Sequence, residues 1–138
     1  MSEVWWKITE EIDMDMKKLL TMFLLLFSVN GYCEWTQVST NEKGDSKLYL
    51  DFSTKKNVSG YTRIWVLLDS KRPDDKYKSF ITLEEFDCSG ERKKTLQLTP
   101  YSGSMGKGNS AGTLNENFNW TFVTPGTMEA TMFRQVCN

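Results

Sequence analysis

Tyr61-Thr-Arg-Ile-Trp-Val-Leu-Leu-Asp69 is the stretch that decides the fold. Its β-branched and aromatic residues favour an extended chain, and alternation puts Thr62, Ile64, Val66 and Leu68 on one face and Tyr61, Arg63, Trp65 and Leu67 on the other. Both sides are rather apolar, so this is a central strand covered at least in part on both faces. Similar segments lie to either side, bounded by turn residues, which is the pattern of an antiparallel sheet. Upstream, residues 35–38 read as a first strand and residues 41–45 as the turn after it. Leu48, Leu50 and Phe52 then share one face of a strand, with Tyr49 and Asp51 on the other, and residues 55–60 read as a turn.

Downstream, Lys71-Arg-Pro-Asp-Asp75 interrupts the pattern, because Pro withholds a ladder donor and the charges seek water. Residues 77–88 resume it, with Phe80, Phe86 and Cys88 on one side. Ser89-Gly90 offers a tight hairpin turn into residues 92–101, where Leu96 and Leu98 face inward. Residues 102–117 are rich in Gly, Ser and Asn with few anchors, and are expected to form a mobile loop or a poorly ordered connection. A last short strand follows at residues 119–123. Thr124-Pro-Gly-Thr127 has the hydroxyls and early Pro of a helix start, which predicts a helix over residues 128–137. Glu129, Phe133 and Cys137 mark its inner face at i, i+4 and i+8, with Ala130 and Val136 close by. The fold class is therefore α+β, an antiparallel sheet of about six strands with one C-terminal helix packed on it.

At 138 residues and 39% hydrophobic content, one domain fits and two would be cramped. The absence of His removes imidazole triads, shuttles and metal ligands. The net charge of −1 divides unevenly: residues 1–15 carry a balance of −4, whereas from Glu34 onward 14 Lys and Arg face 13 Asp and Glu. A nearly neutral main part gives no general attraction to nucleic acid or anionic lipid.

Met16-Lys-Lys18 followed by an apolar run at residues 19–29 has the make-up of a signal peptide, and the run is too short for a bilayer span of about 20 residues. A buried amphipathic helix would keep a polar face, and this run has none. Small residues at Gly31 and Cys33 allow cleavage after either. The acidic residues 1–15 suit no signal peptide, so translation is expected to start at Met14 or Met16, leaving 1–15 as an extension, 16–33 as signal and 34–138 as the domain. Tyr32 stands where a lipoprotein signal has a small residue before its Cys, so no lipid anchor is expected. If cleavage falls after Cys33, Cys88 and Cys137 remain as an even pair in an oxidising compartment, the condition for a disulfide tying the helix to the sheet.

Trp35, Leu48-Tyr-Leu-Asp51, Arg63-Ile-Trp-Val-Leu67, Glu85-Phe-Asp-Cys88, Tyr101-Ser-Gly103 with Met105-Gly-Lys-Gly108, Pro125-Gly126 and Val136-Cys137 together resemble the surface-adhesin protein E family of Gram-negative bacteria. The resemblance implies an antiparallel sheet with a C-terminal helix held by a Cys88–Cys137 bond, and binding of host extracellular-matrix or serum proteins at the cell surface.

Other constellations are weaker. The Gly-rich run at residues 103–108 has Gly108 where a phosphate loop needs Ser or Thr after its Lys. Glu84 and Glu85 are strand neighbours and point to opposite faces, so they cannot share a substrate. Asp74 and Asp75 could contribute to a weak Ca²⁺ site but read better as a solvated turn. Arg92, Lys93 and Lys94 form a basic group that a hairpin could bring beside Lys71, Arg72, Lys76 and Lys78 on one edge, where it would bind acidic partners or simply deter sheet-to-sheet aggregation. Tyr49, Tyr61, Trp65 and Tyr101 could make a partner-binding strip, or belong to the core. The sequence therefore predicts an exported, non-catalytic binding domain with no cofactor and no metal, in the periplasm or on the outer surface. Its partner is a protein: a host matrix or serum protein, or alternatively an enzyme or envelope complex on which it docks as an inhibitor or accessory.

Overall fold

The computed structural model describes residues 13–20, 34–72, 75–115 and 118–138. The chain divides into two compact units, residues 1–32 and 33–138. Of the first unit, residues 13–20 are helical, with an exposed Lys17–Asp13 ion pair at 2.8 Å. Most of the apolar run read as a signal, and Cys33 with it, lies outside the described residues. Among the described residues no helix is long and apolar enough to cross a membrane.

The second unit is an antiparallel meander in the order β1-β2-β3-β4-β5-β6. Its strands are β1 (Thr36–Thr40), β2 (Ser46–Val58), β3 (Tyr61–Ser70), β4 (Ser79–Asp87), β5 (Arg92–Tyr101) and β6 (Thr121–Phe122), followed by a helix at Met128–Cys137. Each strand pairs with its neighbour in sequence. β3 is central, as its two apolar sides require: Ile64 and Val66 are buried under the helix, and Leu67 is fully buried on the opposite face.

The core lies between sheet and helix. Leu48, Leu50, Ile64, Val66 and Phe86 meet Met132 and Val136, and Phe133 tilts onto Phe86 with ring centroids 6.0 Å apart. Each such large apolar side chain contributes roughly 1.5–3 kcal/mol by leaving water. The helix begins where its sequence signals it, with Thr127 Oγ1 accepting from the Ala130 amide at 3.2 Å. Phe133, Cys137, Ala130 and Val136 face inward as expected, and Glu129 alone of that set does not. Met132 and Val136 are buried, whereas the Glu129 side chain is 50% exposed and pairs with Lys93 at 3.3 Å. Cys88 and Cys137 are bonded, with Cα atoms 5.6 Å apart.

Four further sequence readings are corrected. β2 does not turn at residue 55 but runs to Val58, with the turn at Ser59 and Gly60. Phe52 is 39% exposed and does not share the inner face of Leu48 and Leu50. Between the Asp51–Trp65 and Lys56–Arg63 pairs, residues 52–55 stand against Ile64 alone, and this bulge turns Phe52 outward. Short side chains stitch the bulge: Ser53 N donates to Asp51 at 3.1 Å, and Thr54 Oγ1 donates to the Asp51 carbonyl at 2.7 Å while accepting from Trp65 N at 3.1 Å. A second bulge sets Leu96 between the Leu83–Gln97 and Glu84–Thr95 pairs and leaves it half-buried, whereas Leu98, opposite Thr82, lines the helix side with Leu48, Val66 and Met132.

The fourth correction concerns residues 102–109, which form an anchored loop on the face opposite the helix. Ser104 Oγ and Met105 N both donate to buried Asp69, at 2.7 Å each. Gly106 N donates to Ser79 Oγ at 2.9 Å, and Ser79 Oγ donates to the Gly103 carbonyl at 2.6 Å. Gly106 has φ of +71°, a conformation that favours Gly, and a Cβ there would stand 2.7 Å from Ile81 Cδ1 and push that side chain aside.

Candidate functional site

The basic residues grouped by sequence do not form one patch. Arg92 stands opposite Asp87 and Tyr101 opposite Ser79, so Arg92, Lys93 and Lys94 lie at one end of the β4–β5 hairpin and Lys76 and Lys78 beyond the other. The nine residues of β4, roughly 30 Å at the usual strand rise, separate them. At the far end Lys78 Nζ donates to the Arg72 carbonyl at 2.6 Å, Arg72 lies 3.5 Å from Asp75, and Lys76 sits over the Tyr77 ring at 5.3 Å. Asp75 also accepts from Ser70 Oγ at 2.6 Å, as befits a turn, and Asp74 lies outside the described residues.

The three adjacent basic residues divide between the faces of the sheet. The Lys93 side chain, 12% exposed, is held between Glu84 at 3.4 Å and Glu129 at 3.3 Å, where it helps dock the helix. On the opposite face Arg92 pairs with Asp87 at 2.8 Å and Lys94 with Glu85 at 3.2 Å. Burial pushes the Glu85 carboxyl up, but the hydrogen bonds and charges of Arg63 and Lys94 outweigh it and hold the group below its ordinary value. The hydrogen bonds of Arg92 and the Gly90 amide hold Asp87 low in the same way. Glu84 and Glu85 thus serve two separate ion-pair networks, as their opposite directions require.

Arg92 and Lys94 also lie over the Trp120 ring, at 4.9 and 4.6 Å from its centroid, and Tyr61 tilts against the same ring at 5.0 Å. Phe122, opposite Arg92 in the β5–β6 register, is 78% exposed. Together they make a surface of aromatic rings and partly neutralised cations. Sequence reasoning missed Trp120 and Phe122, although their alternation with Phe118 is the pattern of a strand with one aromatic side.

Of the expected aromatic strip, Tyr61 belongs to this cluster, and Tyr49 is half-buried, its phenol pushed up by burial and by the Asp69 charge. Trp65 and Tyr101 instead line a separate open cleft of about 410 Å³, with Trp35, Asp51, Thr54, Ile81, Gln97, Thr99 and Thr113. The loop at residues 103–108 offers no phosphate cradle, because its Met105 and Gly106 amides are committed to Asp69 and Ser79. Among the described residues no three His, Cys, Asp or Glu come together as a metal-holding group.

The sequence profile of the surface-adhesin protein E family matches residues 35–138, from just before β1 to the end of the chain. The chain belongs to that family. Crystal form II of Haemophilus influenzae protein E is similar over 73% of this chain and 86% of its own, with 13% identity and a TM-score of 0.56. Protein E from non-typeable Haemophilus influenzae is similar over 79% and 78%, with 12% identity and a TM-score of 0.55. At such identities the likeness shows a shared fold. No protein of curated function matches the chain. The surface-adhesin protein E family is one of adhesins, and the Cys88–Cys137 bond implied by resemblance to it is present.

Proposed function

We propose that the chain is exported and acts at the outer surface of a Gram-negative bacterium as a non-catalytic adhesin, binding a host extracellular-matrix or serum protein. Residues 16–33 are its export signal, cleaved without addition of a lipid anchor, and residues 34–138 are the working domain. The observation that carries this reading is the family match over residues 35–138, which spans nearly all of that domain. The contact surface is the cluster of Arg92, Lys94, Trp120 and Phe122. It joins an exposed aromatic ring to cations, the residue types that dominate interface hot spots. Lys76 and Lys78 lie too far from it to contribute, and Lys93 supports it from beneath.

The test has two parts. An antibody to the domain should label intact cells, and purified protein should be captured by an immobilised matrix or serum protein. Phe122→Ala should then weaken capture by at least about tenfold, the loss expected of a hot-spot aromatic, with the fold unchanged by circular dichroism. Labelling only after outer-membrane rupture, with pull-down of an envelope enzyme, would replace this reading with that of a periplasmic accessory protein.

A further inference from the structure

The open cleft on the face opposite the helix has the chemistry of a ligand site distinct from the Trp120–Phe122 surface. Its apolar lining comes from Trp35, Trp65 and Tyr101, and among the described residues none of these rings stacks on another ring or beneath a cation. Its polar lining is of a matching kind. The Gln97 carboxamide and Tyr101 hydroxyl have no protein partner among the described residues. The Thr99 hydroxyl shares a single bond, with Thr113 Oγ1 at 2.9 Å, and keeps capacity for another.

Charge narrows the ligand further. Among the described lining residues the only ionisable acid or base besides the Tyr101 phenol is Asp51, a residue 3% exposed. With no Lys or Arg among the described lining residues, a phosphate, sulfate or carboxylate would find no cation to pair with. A quaternary ammonium would suit the rings and Asp51, but it makes no hydrogen bonds and would leave Gln97 and Tyr101 facing it unpaired. A proline-rich peptide suits aromatic grooves, yet needs a groove that runs on, whereas about 410 Å³ is the size of a compact small-molecule site. A neutral sugar ring meets every condition. Its C–H face lies against an indole, and its hydroxyls both donate and accept, as a carboxamide, a phenol and a threonine require.

We infer that the Trp35–Trp65–Tyr101 cleft binds the neutral end of a glycan, one or two rings of it, with Gln97 and Thr99 reading the hydroxyls. This goes beyond the adhesin reading and does not rest on it, since a glycan end is available on host and bacterial surfaces alike.

The purified full-length chain should be titrated with the methyl glycosides of glucose, galactose, mannose and N-acetylglucosamine, followed by tryptophan fluorescence and ligand-observed NMR. Saturable binding of at least one is expected. Trp35→Ala and Gln97→Ala should each weaken it by at least about tenfold, as expected for a lost stacking platform or polar partner, while Trp35→Phe keeps a ring and most of the binding. Trp35 precedes β1 and Gln97 is half-buried on β5, so circular dichroism should report an intact sheet in each variant. Four silent sugars, or saturable binding of choline or of an oligoproline peptide in their place, would overturn the assignment. Sugar binding that ignores Trp35→Ala and Gln97→Ala would overturn it equally.

Discussion

Beneath the helix, Leu50, Ile64, Val66 and Phe86 pack against Met132 and Val136, and a covalent bond closes the contact. On the opposite face the corresponding positions are Asp69, Ser79 and Glu85, each buried and each tied to a loop or a cation by hydrogen bonds. One face is held by water exclusion, which is indifferent to direction. The other is held by polar anchors that must each find a partner, and among the described residues no buried side-chain nitrogen or oxygen lacks one. The difference shows why the candidate cleft sits where it does: a face built from directional bonds can leave rings and amides turned to solvent without losing its order.

The comparison is broken most severely on the helix side. Phe86→Ala should cost about 3–5 kcal/mol in urea unfolding, as for other buried aromatics, and a loss below about 1 kcal/mol would show that the core relaxes to fill the space. Replacing Cys88 and Cys137 together by Ser should cost about 4 kcal/mol by loop-closure entropy for a separation of 49 residues. Hydrogen exchange should then reveal a helix that opens before the sheet, and equal exposure of both would contradict the division between the faces.

The polar side should fail more locally. Asp69→Ala removes the acceptor of Ser104 and Met105, and should cost about 1–3 kcal/mol while releasing residues 103–108. Unchanged exchange protection at Met105 would refute that anchor. The smallest effect is acid sensitivity. The folded Glu85 carboxyl titrates below its ordinary value of 4.5, so its contribution is fully present above that value and is lost as pH falls through the folded one. A stability profile that declines in this range for the native chain, and less steeply for Glu85→Gln, is the expected result; identical slopes would mean that the Arg63–Glu85–Lys94 group is energetically silent.

What could be read from the sequence divides along the same line. The apolar alternation of β3, the extent of β5, the helix start at Thr127 and the disulfide partners were legible because they rest on periodicity, local caps and residue count. Phe52 was misplaced because the β2 bulge is made by Ser53 and Thr54 bonding to Asp51, a choice that no hydrophobic period records. Residues 102–109 looked unanchored because their anchors, Asp69 and Ser79, are 24 to 36 residues away along the chain. Glu129 was placed on the inner face of the helix by periodicity alone, whereas it finds Lys93 at the rim. The basic residues were joined on paper because their separation depends on strand register, which fixes the length of β4 between them. The cleft draws Trp35, Trp65, Gln97 and Tyr101 from three places in the chain, and only the folded sheet brings them together.

The unbroken strand order has a consequence for how such a chain can be made. Because every strand lies next to its predecessor, a polypeptide emerging amino end first can zip each hairpin as it appears, without waiting for distant sequence. Oxidation must follow the strands, since Cys137 lies in the helix that comes after all six of them. A nascent domain therefore holds an assembled ribbon with Cys88 still unpaired until the helix that carries its partner arrives.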